Sequence, residues 1–569
     1  MKRTIISIAI AILAWGNAWG CTNLIGTRGA SADGSNMVTY AADSHTRYGF
    51  LNHLPAAKYP AGALRAIYEY GPERYLGQIP EAARTFNVVG NINEHQLIIG
   101  ESTWGGLTDH IDPKGILDYG SLMYIALQRC TTAREAITLI AKLADEYGYA
   151  SSGESISIAD KQEAWILEII AKRPEYNEKG ENLNKGVVWV AARIPDGYIS
   201  AHANAARITT IALNDPDNYM YAEDLFEYVR RAGLYDGAPE EFSFADTFCP
   251  LDFSLLRGCE ARVWAFFNKF GAEDMGRYLD FVRGDNPSNR MPLYVKPARK
   301  LSLKDVADMM RDHYEGTEFD MTQDPGAGGH SLPYRWRPMG FEVDGEKYSK
   351  ERAIATQQTG FWFVAQSRGW LPDPVGGVIW FGVDDAATSP LTPVYCCATE
   401  VSDHYAFGQG NMVQYSPISM FWLVNRVAQF CYLRYNQVGT EVRSVVDAHE
   451  KEMMERVAAA DAMATAMSPR KAVKYLTRFS VEAADELFYK WKSLDEYLLV
   501  KYIDGNTKQQ NPDGSFKTNG HNDFVPAKPM FPGYDKQFLD AIGRSEWGDL
   551  RRGKDGTLAK YLRVENKTL

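Results

Sequence analysis

The chain has 569 residues and a formal net charge of −11, and its composition is 45% hydrophobic and 23% charged. This is a globular composition, and the length allows two to four domains or one large elaborated domain at roughly 100–200 residues per domain. The acidic balance and the lack of a Lys/Arg-rich block argue against nucleic acid as a partner. Beyond the N-terminus no stretch is long and apolar enough for a bilayer, so we expect no stable membrane span.

Residues 1–20 have the features of a secretory signal peptide. A short basic start is followed by an apolar run that ends at Trp15, and Ala18 and Gly20 are small residues at the two positions that a signal peptidase reads. Cleavage before Cys21 predicts an exported protein, periplasmic or extracellular, that begins with this cysteine. A retained anchor and a lipoprotein signal that attaches lipid to Cys21 are the two alternatives.

The cysteine and histidine content predicts no metal and no cofactor. Six cysteines besides Cys21 could pair in an oxidising compartment, although pairing cannot be read from sequence. The chain contains no CxxC, HExxH or EF-hand pattern, and its ten histidines show no metal-ligand spacing.

Strand and helix patterns alternate through the first 270 residues, which predicts an α+β fold. The first element is a hairpin with arms at 21–26 and 37–42, since Asp33-Gly34 is a turn signal. Apolar periodicity then indicates further strands and helices. The predicted strands are 87–89, 96–100, 155–159, 164–170 and 187–194, and the predicted helices are 132–147 and 223–232.

The second half of the chain reads differently. Residues 290–420 are rich in aromatics, Pro and Gly, which indicates irregular structure with short strands. Residues 421–504 have a mainly helical pattern, with a helix start at Ser468-Pro469. A long loop is expected at 505–535.

A cysteine on the first residue has a base supplied with it. The α-amino group titrates near ~7.7–8.0 in model compounds, so a useful fraction is neutral at physiological pH. This amine can take the thiol proton directly or through one water. Cys21 is therefore the candidate nucleophile, and no catalytic histidine is needed.

Hairpin geometry brings a carboxylate to the same place. Antiparallel pairing around a short turn at Asp33-Gly34 puts Cys21 roughly opposite residues 43–46. Asp43 is then close to the new N-terminus and can orient its ammonium group. The alternative is an ordinary strand-end Asp that faces solvent.

Three further polar residues are candidates with plain alternatives. Asn93 is in a turn between two strands, where it is either a turn former or an amide donor to an oxyanion. Asn204, which follows the strand 187–194, has the same two interpretations. Arg262 is either a surface residue or a cation that lowers the pKa of the thiol.

At these positions the chain resembles the dipeptidase A/secernin family of N-terminal-nucleophile (Ntn) cysteine hydrolases. The likeness runs over about residues 21–430 and rests on the order of its blocks, which begin with a Cys at the predicted cleavage site. The blocks are Cys21-Thr22, Asp33-Gly34-Ser35, Asp43, Asn93-Glu94, Gly100-Glu101-Ser102-Thr103, Gly153-Glu154-Ser155, His202-Ala203-Asn204, Gln366-Ser367-Arg368 and Trp380 to Asp385.

The resemblance implies a four-layer αββα sandwich and hydrolysis of amide bonds, typically in dipeptides. It implies Cys21 as nucleophile, Asp43 beside the amine, Asn93 and Asn204 at oxyanion and substrate-orienting positions, and Arg262 less directly. The domain organisation expected from it is a signal peptide (1–20), an Ntn-hydrolase peptidase domain with insertions (21–430) and a mainly helical C-terminal extension (431–569).

One departure from the family bears on the substrate. The related bile-salt and penicillin acylases, and some of the dipeptidases, have Arg three residues before the Asp, whereas this chain has Tyr40. A neutral phenol cannot replace a permanent cation. The leading hypothesis is therefore a cysteine dipeptidase for small unblocked peptides, with an N-acyl amidase of the same fold, a lipid-anchored binding protein and an inactive secernin-like protein as alternatives.

A site that accepts only short peptides must be closed at one end and must pair the substrate's charge there. The aromatic segment 290–420, with Arg368, Asp384 and Asp385, is one candidate for that wall. Ordinary packing is the alternative for each of these three residues.

Overall fold

The computed structural model describes residues 20–544. The predicted signal peptide, apart from Gly20, therefore lies outside the described residues, as does the polar tail 545–569. Among the helices of residues 20–544, none is both long and apolar enough to cross a membrane.

The strands are mostly short, and the longest ones belong to two large antiparallel sheets. In chain order they are β1 (Asn23–Gly26), β2 (Asn36–Asp43), β3 (His53–Leu54), β4 (Ala57–Lys58), β5 (Leu64–Tyr68), β6 (Tyr75–Pro80), β7 (Arg84–Thr85), β8 (Val88–Val89), β9 (Ile92–Asn93), β10 (Ile98–Trp104), β11 (Gly153–Ala159), β12 (Ala164–Ala171), β13 (Val187–Ile194), β14 (Ile199–His202), β15 (Tyr219–Tyr221), β16 (Tyr294–Val295), β17 (Gly340–Val343), β18 (Glu346–Ser349), β19 (Thr359–Ser367), β20 (Gly377–Val383) and β21 (Thr392–Tyr395).

The two longest α-helices of residues 20–544 lie in the C-terminal part of that range. In chain order the α-helices are α1 (Tyr119–Arg129), α2 (Ala133–Tyr147), α3 (Leu225–Arg231), α4 (Phe244–Phe248), α5 (Phe253–Leu255), α6 (Ala261–Phe270), α7 (Leu279–Arg283), α8 (Leu303–Met309), α9 (Asp373–Gly376), α10 (Met420–Leu433), α11 (Thr440–Thr465), α12 (Pro469–Tyr502) and α13 (Lys536–Arg544).

Two sheets face each other, and helices cover them on both outer sides. The first sheet has the strand order β16-β14-β1-β2-β19-β20-β21, and the second has the order β15-β13-β12-β11-β10-β9-β8-β3. Strand β2 packs against β10 and β11 of the other sheet, α1 and α2 lie on the second sheet, and α6, α8, α11 and α12 lie on the first. The α+β class predicted from the sequence is therefore what the structure shows.

The central strands are buried on both faces because successive side chains point to opposite sides. In β2, Val38 and Tyr40 join the apolar layer between the sheets, whereas Met37 and Ala41 join the layer under the helices of the first sheet. Such strands carry few polar positions and show little alternation in sequence. This explains why β19 and β20 were not located individually within the segment predicted to contain irregular structure and short strands.

Most of the earlier elements agree with the sequence predictions. The predicted helix 132–147 is α2, which begins with a capping box formed by Thr132 and Glu135. The predicted hairpin pairs Ile25 with Val38, and Gly34 has a φ of 85° in its connection. The helix start at Ser468-Pro469 is also confirmed.

The register of that hairpin differs slightly from the prediction. The connection between the arms spans residues 27–35, so its midpoint lies before Asp33-Gly34. Each residue of the first arm therefore pairs with an earlier residue of the second arm than the prediction placed opposite it. Thr22 pairs with Ala41, and the N–H of Gly20 donates to the carbonyl oxygen of Asp43 at 2.9 Å. Asp43 is thus opposite the residue before Cys21.

A buried ion pair joins the segment after β14 to the start of α6. Nε of Arg207 donates to Oε1 of Glu260 at 2.9 Å, and the two side chains are 2% and 3% exposed. The Arg207 guanidinium also donates to the carbonyl oxygens of Ala201, Pro292 and Leu293. The pair therefore fixes two elements whose neighbouring residues contact Cys21.

We expect Glu260→Ala to lower the free energy of unfolding by about 3–5 kcal/mol, because it leaves a permanent cation buried without its partner. Urea denaturation followed by circular dichroism measures this. Arg277→Ala, which removes an exposed i,i+4 pair with Glu273, is the control and should leave the midpoint unchanged. Equal effects of the two variants would contradict the expectation.

Candidate active site

The thiol of Cys21 lies in the apolar layer between the two sheets. Cys21 is 5% exposed and is part of the core cluster that the sheets share. Its Sγ is 3.8 Å from Oε1 of Glu101, a residue of β10 in the opposite sheet. The first residue of the predicted mature chain thus meets a carboxyl group across the interface between the sheets.

The backbone of Cys21 is held on both sides of its Cα. Its N–H donates to Oδ1 of Asn204 at 3.0 Å, and its carbonyl oxygen accepts from Nη1 of Arg262 at 2.7 Å. Asn204 follows β14 and Arg262 is in the first turn of α6. Three of the predicted site residues are therefore brought together by direct contacts.

Arg262 holds the N-terminal segment by hydrogen bonds to oxygens. Besides Cys21 it donates to Oγ1 of Thr22 at 2.9 Å, to Oδ1 of Asn204 at 2.9 Å and to the carbonyl oxygens of Ala203 and Gly258. The residue is only 2% exposed. Its donors are engaged by the protein, so its geometry is that of a positioning residue.

Asn204 has a left-handed backbone, with a φ of 59°. Asn is one of the few non-glycine residues that adopt this conformation readily. The turn directs Oδ1 to Cys21, while Nδ2 donates to the carbonyl oxygen of Thr103 at 2.5 Å. The side chain thus connects Cys21 to β10.

Asp43 is fully buried beside Gly20, and both of its carboxylate oxygens are engaged. Oδ1 accepts from Oγ1 of Thr359 and Oδ2 accepts from Nη2 of Arg352, each at 2.6 Å. The same Nη2 of Arg352 donates to the carbonyl oxygen of Gly20 at 3.0 Å. Burial raises the pKa of Asp43 to about 6, and the charge of Arg352 opposes that rise.

The surroundings of the thiol disfavour its ionised form. Burial raises the pKa of Cys21 well above its usual value, and the negative charges of Glu101 and Asp43 raise it further, whereas a backbone hydrogen bond from Asp43 opposes them. A thiol in this position needs a base next to it before it can attack.

Glu101 and Glu154 form a buried acid pair beside Cys21. Burial raises the pKa of both carboxyl groups, and the charge of Glu101 is the next largest contribution for Glu154, which is raised well above its usual value. The phenol of Tyr40 donates to Oε1 of Glu101, and Oγ1 of Thr103 donates to Oε2 of Glu154 at 2.9 Å.

Asn93 makes its contacts elsewhere. Its Nδ2 donates to the carbonyl oxygens of Leu127 and Cys130 at 2.7 and 2.8 Å, and its Oδ1 accepts from the N–H groups of His95 and Leu97. Both amide hydrogens of Asn93 are thus hydrogen-bonded to carbonyl oxygens at the end of α1. The structure brings Asn93 together with α1 and with its own turn, as the turn-former interpretation predicts.

No histidine contacts Cys21 within residues 20–544. The imidazole of His202, which is close in the chain to Asn204, lies between the hydroxyls of Ser102 and Ser157 at 2.6 Å each. Burial lowers its pKa to about 3, so it is neutral at physiological pH. The seven cysteines all lie in the described part of the chain and are free thiols, and the same part has no group of three or more His, Cys, Asp or Glu arranged for a metal ion.

The three residues suggested for a closing wall also lie apart from the thiol. Arg368 pairs with Asp461 of α11, Nδ2 of Asn425 donates to Asp384, and the phenol of Tyr432 donates to Asp385. These contacts join the first sheet to its covering helices. They indicate packing roles, which was the alternative for each residue.

Sequence reasoning missed Arg352, Thr359, Glu101 and Glu154 as site residues. For the two glutamates a signal was present, since a charged residue in a fully buried strand needs a special reason. Arg352 follows a polar segment without a clear sequence pattern, and only the folded chain brings it next to Asp43. The sequence around Arg352 therefore gives no indication of its role.

A buried cysteine whose backbone atoms are hydrogen-bonded to Asn204 and Arg262, in an α+β protein, points to a cysteine hydrolase. Residues 46–448 match Peptidase family C69, so the chain belongs to this family and is a peptide-bond hydrolase. The matched range begins after Cys21 and Asp43.

Several curated proteins are similar to the chain over most of its length. A probable dipeptidase from Latilactobacillus sakei is 26% identical over 68% of this chain and 76% of its own length, and one from Salmonella dublin is 24% identical over 68% and 84%. A probable dipeptidase B from Streptococcus pyogenes serotype M1 is 24% identical over 89% of this chain and 98% of its own length.

We expect peptidase activity to require ionised Asp43, so that kcat/KM falls more steeply below about pH 6, in addition to the fall at higher pH that protonation of the α-amine causes. Arg352 favours the charged carboxylate. Arg352→Gln should therefore raise the pKa of Asp43 and move this acidic limb to higher pH. Measuring kcat/KM between pH 4.5 and pH 8 (about one point per half unit) locates the limb.

Arg257→Gln is the matched control, because Arg257 pairs with Glu351, the neighbour of Arg352. Its profile should match that of the unchanged protein. An acidic limb that stays in place in Arg352→Gln would show that Asp43 does not control it.

Proposed function

We propose that this protein is an exported cysteine dipeptidase. It hydrolyses the peptide bond of unblocked dipeptides with Cys21 as an N-terminal nucleophile and the α-amine of Cys21 as the base. The names of the similar proteins support the dipeptide substrate, and the arrangement around Cys21 supports the mechanism.

The observation that supports this proposal most directly is that hydrogen bonds from other residues hold the backbone nitrogen and carbonyl oxygen of Cys21. A nucleophile inside a chain needs only its side chain positioned. Here the nitrogen of Cys21 is held by Asn204 and its carbonyl oxygen by Arg262. These contacts fix the position of the nitrogen as well as that of the side chain. A mechanism that uses this nitrogen as the base requires both to be fixed.

The first half of the reaction forms a thioester. The neutral amine of Cys21 takes the proton from Sγ, and the sulfur attacks the carbonyl carbon of the substrate. The peptide bond then breaks, and the departing nitrogen receives the proton that the amine holds. Buried surroundings keep Sγ protonated until this transfer, since they raise its pKa.

The second half returns the enzyme to its starting state. The amine takes a proton from water, the resulting hydroxide equivalent attacks the thioester carbon, and the carbon–sulfur bond breaks. The proton returns to Sγ and the first amino acid leaves as a free carboxylate. No cofactor enters either half.

The fold assignment and the export are parts of the same proposal. Two facing antiparallel sheets with helices on both outer sides agree with an Ntn αββα sandwich, with 21–430 as the peptidase domain and 431–569 as its helical extension. The basic and apolar start of the chain and the small residues Ala18 and Gly20 support removal of a signal peptide.

The nucleophile test is replacement of Cys21 in the enzyme purified after expression of the full chain. Cys21→Ala should lower turnover by more than about 10⁴-fold with little change in stability, because it removes one sulfur from an otherwise fixed residue. Cys21→Ser should retain only a small part of the activity. Dipeptide hydrolysis is followed by amine release.

Cys130→Ala is the matched control, since Cys130 is a buried thiol outside the site. It should keep its activity. Substantial turnover by Cys21→Ala would end the nucleophile assignment, and N-terminal sequencing of each protein shows whether the chain begins at residue 21.

The substrate test compares a dipeptide, its N-acetyl form and a tetrapeptide. We expect kcat/KM for the blocked dipeptide to be at least roughly 100-fold lower, because a site built to pair a charged amine is left with an unpaired buried group. The tetrapeptide should also be poor. Each value is measured against the Cys21→Ala protein as background.

Equal kcat/KM values for the three compounds would remove the dipeptidase assignment. A preference for the acylated compound would favour an N-acyl amidase on the same fold. Lipid on the N-terminal cysteine, detected as added mass, would favour the anchored protein instead.

A further inference from the structure

We propose that Glu101 binds the α-ammonium group of the substrate's first residue, with Glu154 and Tyr40 holding its carboxylate in place. This inference rests on the proposed function, since it names the group that distinguishes an unblocked dipeptide from other amides.

The two glutamates are placed by neighbouring strands. Glu101 pairs with Ile156 and Thr103 pairs with Glu154, so the two carboxyl groups are diagonal neighbours on the same face of the second sheet. That face looks towards β2 and Cys21. The glutamates are 1% and 0% exposed, which is rare for this residue type without a functional or ionic reason.

Each carboxyl group has one oxygen that no N–H or hydroxyl donor of the described protein reaches, and a hydrogen bond joins the two carboxyl groups to each other. These atoms are Oε2 of Glu101 and Oε1 of Glu154. Within residues 20–544, no Arg or Lys nitrogen lies within ion-pair distance of either group, although other buried acids such as Glu260 have such a partner. The pair therefore has acceptor capacity for a cation beside the nucleophile.

Distances around the thiol agree with an ammonium group at Glu101. In an amino acid the α-nitrogen is about 2.5 Å from the carbonyl carbon of the same residue. The sulfur attacks from about 3–3.5 Å, and Sγ is 3.8 Å from Oε1 of Glu101. A carbonyl carbon in contact with Sγ can therefore have its α-nitrogen within hydrogen-bond distance of Glu101 when that nitrogen is directed towards β10.

The charge state of the pair also suits an ammonium ligand. Burial raises the pKa of both carboxyl groups, and the charge of Glu101 raises that of Glu154 further, because two adjacent buried carboxylates disfavour a second negative charge. The hydrogen bond between the two groups and the nearby Arg47 lower the pKa of Glu101 against this rise. A negative charge on the pair is therefore favoured on Glu101, the carboxyl group that contacts Cys21.

Aromatic rings extend from this pair towards the surface. Tyr70 and Tyr119 are half-buried, with ring centroids 5.6 Å apart, and both are close enough to Glu101 for its charge to raise the pKa of their phenols. Rings beside a carboxylate are a common environment for an ammonium group. This half-buried region is the side from which a small peptide would approach.

The experiment isolates the charge of the amine from its size. Alanylalanine is compared with propionylalanine, in which hydrogen replaces the amino group, and the ratio of their kcat/KM values is measured in one preparation of purified enzyme. We expect the unchanged enzyme to favour alanylalanine strongly. Glu101→Gln should lower the ratio by at least about 30-fold, as expected when a buried charge partner is removed.

Two variants separate charge from structure. Glu154→Gln should keep the ratio within about threefold, because an amide N–H can donate to Glu101 as the protonated carboxyl does. Asp384→Asn, which changes a buried acid of the first sheet that contacts Asn425, should match the unchanged enzyme. Because each ratio is taken within one protein, a partial folding defect affects both substrates alike.

Binding gives a second readout in the Cys21→Ala background. Isothermal titration should detect alanylalanine more tightly than propionylalanine, and adding Glu101→Gln should remove the difference. A Glu101→Gln variant that keeps the original ratio overturns this inference and leaves the dipeptidase proposal intact, whereas an unchanged enzyme that hydrolyses both compounds equally overturns the inference and the dipeptidase proposal together. Failure of the unchanged enzyme to hydrolyse alanylalanine overturns the proposed function itself.

Discussion

The geometry at residue 21 depends on one buried guanidinium group. Arg262 donates to the carbonyl oxygen of Cys21 and to the side chain of Asn204, which accepts from the nitrogen of Cys21 in turn. A planar guanidinium with five fixed donors can hold several oxygens in a set geometry, which a lysine cannot do. The Arg207–Glu260 pair then fixes the two elements that carry these residues, so the position of the thiol follows from contacts made well away from it.

The space between the sheets is unusually acidic for a nucleophile. Cys21 meets the acid pair on one side and Asp43 on the other, and each of these raises the pKa of the thiol. Such a thiol is a poor spontaneous nucleophile and is correspondingly protected from unwanted oxidation. In the proposed mechanism, the cationic form of the Cys21 amine and the ammonium group of a bound peptide both oppose this negative field. On that proposal, the negative charge of the site is best balanced when a free-amine substrate is bound.

Local patterns were enough to predict part of the site, and long-range contacts decided the rest. The predicted signal peptide indicated Cys21 as the first residue of the mature chain. The predicted hairpin indicated that Asp43 is close to it, because antiparallel pairing brings residues that are distant in sequence opposite each other. The direction of the Asn93 amide depended on where α1 ends, and the partner of Asp43 came from Arg352, far along the chain. Short strands were predicted in the segment 290–420, but β19 and β20 were not located individually, because burial on both faces removes the alternation by which strands are recognised.

Tyr40 connects the departure from the acylase pattern to the chemistry of this site. An arginine at that position would place a permanent cation next to Glu101 and would pair with its carboxylate directly. Tyr40 instead donates one neutral hydrogen bond to Oε1, which orients the carboxylate without neutralising it. In the proposed site the carboxylate of Glu101 then stays available to a ligand, because no permanent cation at position 40 occupies it. The phenol of Tyr40 and the two glutamates on the neighbouring strands β10 and β11 therefore act together, and an arginine at position 40 would compete with a substrate ammonium group for Glu101.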